Sequence, residues 1–344
     1  MHNEPGLDLC AEDAELVAGI LGRQRRALAK AITLIESTRQ DHQIRAQAVL
    51  KKLLPYSGQV GKCDKCIRVG ISGVPGVGKS TFIEALGIYL VDSSRRVAVL
   101  AVDPSSSVSG GAILGDKTRM ERLSQRDEAF IRPTPTSGSL GGVAEKTREA
   151  MLLCEAAGFE IIIVETVGVG QSEISVAGMT DVFVLMQLPN AGDDLQAIKK
   201  GIVELADLVI FNKIDLDPQA AENAALQMSS ALHMLRPASP RWQPRVLKVS
   251  AIQGLGIAAF WEAIEEYRGV MLAGGEFAAK RRHQALAWMW SLIESGLHSR
   301  FRQHASVKRE LPALAAAVEK GELPPGLAAE RLLDTFKAHD TKLV

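Results

Sequence analysis

The segment GVPGVGKS, residues 73–80, constrains the fold of this chain more than any other stretch. It matches the pattern G-x-x-x-x-G-K-[ST] and lies between the apolar run IRVGIS and the helical pattern TFIEALGIYL. Glycines let a backbone wrap closely around phosphate, and the first amides of the following helix face the negative charge. A strand-to-helix turn without a ligand is the alternative, but the flanking patterns favour a phosphate-binding loop.

The motif predicts a role for each residue of this loop. Lys79 is expected to reach the β- and γ-phosphates of a nucleotide and so to act in catalysis, and Ser80 is expected to ligate Mg²⁺. The predicted nucleotide-binding residues of this segment are Gly73, Val74, Pro75, Gly76, Val77, Gly78, Lys79, Ser80 and Thr81.

Short apolar runs alternate with helical patterns through the middle of the chain. The runs are IRVGIS, VAVLAV, AFIRPT, EIIIVE, DVFVLMQL, LVIFNK and PRVLKVS. Continuously apolar strands of this kind are typical of a mostly parallel sheet with helices on both faces. We therefore predict the three-layer α/β fold of P-loop NTPases over residues 61–268. Residues 1–60 are expected to form an N-terminal helical extension and residues 269–344 a C-terminal helical arm.

The run LVIFNKID carries a signature for the base. Asn212, Lys213 and Asp215 match N-K-x-D, which is typical of guanine-nucleotide proteins. The Asp215 carboxylate can accept from guanine N1–H and the 2-amino group, an arrangement that adenine does not offer, and the Lys213 stem can lie along the base. Ser250 and Ala251 follow the next strand and are consistent with a backbone amide that donates to guanine O6. A simple turn at NKID is the alternative.

Three acids lie between these motifs. Asp103 ends a strand, Asp116 lies in a Gly- and Ser-rich loop, and Glu165 ends the run EIIIVE. With Ser80 they would supply oxygen ligands to an octahedral Mg²⁺ that keeps several waters. Gly168 is expected to meet the terminal phosphate through its amide. Asp116, Glu165 and Gly168 thus join the predicted catalytic residues. Asp103 could instead cap a turn, and a structural role is also open for Asp116.

Composition excludes several classes of function. Forty basic and forty acidic residues cancel, which argues against a broad surface for nucleic acid or anionic membrane. No signal pattern opens the chain, and no apolar run approaches the roughly 18 residues of a membrane span, so we expect a cytoplasmic location. Cys63 and Cys66 form CDKC, but no second ligand pair has the spacing of a zinc site. An incidental pair in a connecting loop is expected.

Several longer motifs together resemble the MeaB/ArgK family, the methylmalonyl-CoA mutase-associated GTPases. They are VGISGVPGVGKST, VLAVDPSS, GGAILGDKTRM, FIRPTPTSGSLGGVAEKTREAMLLCEAAGF, VETVGVGQSE, GDDLQAIKKGIVELAD and NKID. The resemblance runs from about residue 25 to about residue 305. It also explains the glutamate of ETVG, since this branch of the SIMIBI class of GTPases has that motif in place of D-x-x-G.

The resemblance implies a dimeric GTPase that uses GTP, GDP and Mg²⁺ and turns over slowly alone. It implies binding to an adenosylcobalamin-dependent acyl-CoA mutase on another chain. There the GTPase gates cofactor loading and protects or reactivates the mutase. Asp103, Asp116 and Glu165 match the family's magnesium and switch acids, and Gly168 matches its γ-phosphate contact.

Two further segments acquire a role from the resemblance. The stretch LPNAGDDLQAIKKG, with Lys199 and Lys200, matches a mobile loop that reports nucleotide state to the mutase. Without the resemblance, the residues of this stretch indicate a solvated helix face. The C-terminal helices match a dimerisation arm, and by themselves they indicate either core packing or an oligomer interface. Their apolar stripe is Leu286, Met289, Trp290, Ile293, Leu297 and Phe301.

Two rival functions share parts of this pattern. A metallochaperone GTPase of the HypB type would use a Cys/His cluster for nickel, for which CDKC is the candidate. A transport ATPase or kinase, which the older family name suggests, conflicts with the guanine signature.

Overall fold

The computed structural model describes residues 9–58, 66–103, 120–135, 140–166, 172–189, 200–235, 237 and 239–340. Several residues singled out above lie outside these ranges: Cys63, Asp116, Gly168 and Lys199. For Asp103 and Lys200 the structure describes the backbone but not the side chain.

Seven described strands form one sheet. They are β1 Ile67–Gly73, β2 Val97–Asp103, β3 Ala129–Pro135, β4 Ile161–Thr166, β5 Val182–Gln187, β6 Leu208–Phe211 and β7 Arg245–Lys248. The order across the sheet is β3-β2-β4-β1-β5-β6-β7, and every neighbouring pair is parallel. The register sets Glu165 of β4 beside Ile71 of β1. The predicted parallel α/β fold is confirmed.

Helices precede the sheet, connect its strands and follow it. The described helices are α1 Ala11–Leu21, α2 Arg25–Glu36, α3 Gln40–Leu53, α4 Lys79–Asp92, α5 Glu121–Ser124, α6 Leu140–Ala156, α7 Ser172–Ala177, α8 Lys200–Val203, α9 Pro218–Met234, α10 Ile257–Ala273, α11 Glu276–Gln303, α12 Ala305–Glu319 and α13 Pro325–Asp340. None of these described helices is both long and apolar enough to cross a membrane.

The sheet separates two apolar layers. On one face, α4 and α10 close a core that includes Ile71, Phe82 and Phe260, and the two phenylalanine rings meet edge to face at 5.1 Å. On the other face, α6 and α7 pack against the central strands, and α1, α2 and α3 pack on α6. Burial on both faces is why β1, β4 and β5 are apolar along almost their whole length.

The contacts divide the chain into two compact units, Met1–Gln284 and Ala285–Val344. The N-terminal helices therefore belong to the same unit as the sheet, and the boundary falls within α11. The three regions 1–60, 61–268 and 269–344 stay a prediction. In the second unit α12 and α13 pack together, and the Phe301 and Phe336 rings meet at 5.5 Å.

The apolar stripe predicted on α11 is mostly exposed. Phe301 packs inside the second unit, but the other members are not buried in this chain. The exposed members are Leu286, Met289, Trp290, Ile293 and Leu297.

A buried ionic cluster lies at the amino edge of the sheet. Arg281 of α11 donates from Nε and Nη2 to the Asp181 carboxylate at 2.7 and 2.6 Å. Arg68 of β1 donates to Glu155 at 2.7 Å, and its backbone N–H donates to Asp181 at 2.8 Å. Burial acts to raise the pKa of Asp181, but the charges of Arg281 and Arg68 outweigh it and hold that pKa below its usual value. The cluster therefore ties the start of α11 to the sheet.

Candidate functional site

The phosphate-binding loop follows β1 at the carboxyl edge of the sheet and leads directly into α4. Two of its glycines have steric reasons to be glycine. A Cβ on Gly73 would lie 2.5 Å from the Met186 carbonyl oxygen, and one on Gly78 would lie 2.7 Å from Asn212 Nδ2. Gly78 also has φ +92°, which side chains disfavour. The loop is thus packed against the ends of β5 and β6.

Two lysines donate to carbonyl oxygens of this loop. Lys79 Nζ lies 2.6 Å from the oxygen of Gly73, and Lys213 Nζ lies 2.8 Å from that of Gly76. Both ammonium groups are therefore held at the loop where phosphate would bind. For Lys79 to contact the β- and γ-phosphates as predicted, other N–H donors of its ammonium, which has three, can reach the phosphate oxygens.

Asn212 joins the loop to the base motif. Its side chain is buried, with Nδ2 donating to the Val77 carbonyl at 2.8 Å. Its Oδ1 accepts from the Ala251 N–H at 3.1 Å. Asn212 was predicted among the nucleotide-binding residues, and both ends of its side chain are used inside the protein. It therefore acts by holding three separate segments of the site together.

Asp215 is positioned by Ser250. The Ser250 hydroxyl donates to Asp215 Oδ1 in a short hydrogen bond, while its backbone N–H and C=O both pair with Leu255. The N–H groups of Ser250 and Ala251 thus have acceptors within the protein. The contact predicted from this segment to guanine O6 would require one of them to change partner, and it stays a prediction.

A second corner of the site carries the oxygen ligands. Ser80, in the first turn of α4, donates to Glu165 Oε1 at 3.3 Å. Glu165 is buried, and its strand lies between those of Asp103 and the loop. A hydroxyl and a carboxylate brought together at a sheet edge are the donor types that Mg²⁺ prefers, so the described residues fit that ion. Asp116 and Gly168, which complete the predicted set, lie outside the described residues.

Sequence reasoning did not single out the end of β5. The Gln187 carbonyl accepts from the Asn212 N–H at 2.9 Å, and the preceding Met186 carbonyl faces Gly73. The one available signal was a glutamine at the end of the otherwise apolar run VFVLM.

The described residues give no support to a metal-delivery site. No group of three or more His, Cys, Asp or Glu side chains that could hold a metal occurs among them. Cys66 is buried at the start of β1, and burial raises the pKa of its thiol well above the usual value. A protonated, enclosed thiol is a poor metal ligand. Its neighbour in CDKC, Cys63, lies outside the described ranges.

The chain is similar to several known proteins in sequence and in fold. The family model described as methylmalonyl-CoA mutase-associated GTPase MeaB matches residues 28–306. A relative from Caulobacter vibrioides, named as a GTPase, is 52% identical and covers 96% of this chain and 99% of its own. A mouse relative, named methylmalonic aciduria type A homolog, mitochondrial, is 47% identical over 94% of this chain and 79% of its own. A solved structure described as an LAO/AO transport system kinase aligns with a TM-score of 0.73 at 35% identity, covering 98% and 99% of the two chains.

Proposed function

This chain belongs to the MeaB family of methylmalonyl-CoA mutase-associated GTPases, and we propose that it uses GTP to control an adenosylcobalamin-dependent acyl-CoA mutase. Family membership makes guanine-nucleotide binding and GTPase activity its general properties. The finer proposal is that hydrolysis is magnesium-dependent and slow, and that the nucleotide state gates cofactor loading and protects or reactivates the mutase.

One observation carries the nucleotide part of the proposal. Asn212 hydrogen-bonds Val77 of the phosphate-binding loop and Ala251 beyond β7, while Lys213 reaches the carbonyl of Gly76. Phosphate and base motifs thus form a single connected site. These contacts support a ligand that would carry phosphates to the loop and a purine to the base motif, as GTP does.

The chemistry divides among named side chains. Lys79 would balance the charge of the β- and γ-phosphates, and Ser80 and Glu165, with Asp103 and Asp116, would hold Mg²⁺. The ion, when bound, would neutralise charge that develops on the transferred phosphoryl group. The buried Glu165 carboxylate would also help to orient the water shell around that group. Gly168 is proposed to contact the γ-phosphate through its amide.

Slow turnover by the isolated protein is part of the proposal. GTPases without a stimulating partner turn over on the order of 10⁻⁴ to 10⁻² per second. Hydrolysis at this rate suits a protein that controls another enzyme better than one that consumes GTP in bulk. We therefore expect the mutase to accelerate it.

The mutase partner is supported by names and by sequence. The family description links its members to methylmalonyl-CoA mutase, and the mouse relative carries a name derived from methylmalonic aciduria. The segment with Lys199 and Lys200 is proposed to report nucleotide state to the mutase. A reporting segment must contact the mutase differently in the GTP and GDP forms, because a ligand shifts an equilibrium only by its differential affinity.

The test is a cofactor-loading assay. Purified protein is mixed with an adenosylcobalamin-dependent methylmalonyl-CoA mutase, and cofactor transfer is followed with GTP, GDP or no nucleotide. The expected result is loading that differs between the nucleotides. Replacing Lys199 and Lys200 together by alanine should leave guanine-nucleotide affinity nearly unchanged but remove the mutase's effect on hydrolysis. Identical loading under all three conditions, with the complex demonstrably formed, would refute gating.

A further inference from the structure

Gln187, the last residue of β5, has a buried side-chain amide that is unpaired among the described residues. The residue is 1% exposed, and neither Oε1 nor Nε2 has a hydrogen-bond partner in the part of the chain that the structure describes. A buried amide without partners has given up its hydrogen bonds to water and gained none in return. Such groups are rare in native proteins and call for a physical explanation. An apolar side chain of similar shape would avoid the cost.

The position of Gln187 connects it with the nucleotide site. The carbonyl of Met186, one residue earlier, lies so close to Gly73 that a Cβ there would sit 2.5 Å from it. The carbonyl of Gln187 accepts from the Asn212 N–H at 2.9 Å. The residue is thus held between the phosphate-binding loop and the base motif. Ligands of parallel α/β sheets bind at this carboxyl edge.

The side chain of Gln187 faces away from the magnesium corner. Val184 and Met186 belong to the core under α4, so the alternation of a strand directs Gln187 to the opposite face. Two other polar residues lie on that face at or next to the ends of their strands, Ser72 and Thr166, and the Thr166 hydroxyl donates to the Ser72 hydroxyl at 3.0 Å. The Ser72 and Thr166 hydroxyls are thus hydrogen-bonded to each other, whereas the Gln187 amide has no hydrogen-bond partner among the described residues.

We infer that Gln187 is a positioning residue whose amide becomes hydrogen-bonded when a guanine nucleotide occupies the site. The inference rests on the proposed function. Without nucleotide, the protein would bear the cost of the unpaired amide, and binding would recover that cost by giving the amide a hydrogen-bond partner. A group that is paired only in the bound state favours that state, so it contributes to affinity without being part of the phosphate, base or metal contacts.

Two substitutions in the full-length protein separate this role from a structural one. Gln187→Met keeps the length and shape of the side chain and removes both polar atoms. Thr180→Val is the matched control: Thr180 is buried, and its hydroxyl donates to the Val176 carbonyl at 2.8 Å. For each protein, the thermal unfolding midpoint is measured without nucleotide. Calorimetry with Mg²⁺ then gives the Kd for guanosine 5′-(β,γ-imido)triphosphate and for GDP.

The two variants should move in opposite directions. Thr180→Val should lower the unfolding midpoint and leave both Kd values near wild type. Gln187→Met should unfold at the same or a higher temperature without nucleotide, yet bind nucleotide roughly tenfold more weakly, the change that about 1.4 kcal/mol produces. Loss with the triphosphate analogue alone would assign the hydrogen bond to that state, and loss with GDP as well would assign it to both.

Three results would overturn the inference. Unchanged Kd values in Gln187→Met would show that the amide does not respond to nucleotide. A fall in its nucleotide-free midpoint like that of Thr180→Val would show that the amide is already paired in the free protein. Failure of the wild type itself to bind either nucleotide would overturn the proposed function as well, so the two failures are distinguishable.

Discussion

At the scale of single residues, the base end of the site depends on one carboxylate and its support. Asp215 accepts from the Ser250 hydroxyl, so the side chain is fixed before any ligand arrives. Ser250 is itself fixed by two backbone hydrogen bonds with Leu255, at 3.0 and 3.1 Å. Such preorganisation lowers the cost of ordering on binding. Selectivity for guanine should therefore depend strongly on the chemistry of residue 215.

Asp215→Asn should weaken GTP binding by about 10- to 150-fold. A hydrogen bond to a charged group is worth roughly 1.5–3 kcal/mol, and each 1.4 kcal/mol is tenfold in Kd. Binding of xanthosine triphosphate should improve, because the amide can donate to the extra oxygen of that base. Asp217→Asn makes the same charge change two residues away, where Asp217 caps α9 by accepting from the Ala220 N–H at 2.9 Å. Calorimetry should find this control near wild type, and equal losses in both variants would contradict the assignment.

Local patterns suggested candidate members of the site, which stay a prediction, but they did not indicate the bonds between those residues. Lys79, Ser80 and Asp215 could be assigned because their motifs are short and contiguous. The double role of Asn212 could not, since its partners Val77 and Ala251 are 135 and 39 residues away in the chain. Only the strand order of the fold brings those segments together. The position of Gln187 beside both motifs could not be predicted from sequence for the same reason, because it follows from the position of β5 in the sheet.

At the scale of elements, the two edges of the sheet carry different features. Its carboxyl edge carries the nucleotide motifs, and its amino edge carries the cluster that anchors the start of α11. The central strands β1, β4 and β5 were predictable because parallel strands buried on both faces are continuously apolar, whereas β7 is only partly buried. The anchoring cluster was not, because its central pair, Arg281 and Asp181, joins residues 100 positions apart.

Asp181→Asn should destabilise the fold by about 3–5 kcal/mol at neutral pH, because it removes one of the two carboxylates, Asp181 and Glu155, that face the buried Arg281 guanidinium. The pKa of Asp181 is lower in the folded than in the unfolded chain, so its stabilising effect is complete above the ordinary value of 3.8. The effect is lost as the pH falls through the lower, folded pKa.

Denaturant unfolding of wild type and variant from pH 7 to pH 3 tests this sign. The difference in unfolding free energy should stay constant down to about pH 3.8 and shrink below it. Glu266→Gln is the control, since Glu266 pairs with Arg245 on the surface, where both side chains are about half exposed. Solvent screens such a pair, so this control should unfold almost as wild type. A difference that grows as the pH falls would contradict the assignment.

At the scale of the whole molecule, the exposed stripe on α11 points to self-association. Large apolar side chains in a row are unusual on a monomer surface and typically mark an interface. Trp290→Glu should therefore shift the protein from dimer to monomer in analytical ultracentrifugation. Trp290 is 59% exposed, and Leu226 on α9 is 60% exposed outside the stripe. Leu226→Glu should consequently leave the dimer intact; a monomeric wild type, or dissociation by both variants, would reject this interface.

We expect one connected site to hold phosphate at Gly73–Ser80 and to recognise guanine at Asp215. Titration of the nucleotide-free protein with GTP and with ATP, in Mg²⁺ buffer in a calorimeter, is the decisive test. One GTP per chain should bind at least about tenfold more tightly than ATP, because adenine cannot supply the two donors that Asp215 accepts. Equal affinity for ATP and GTP would contradict this expectation.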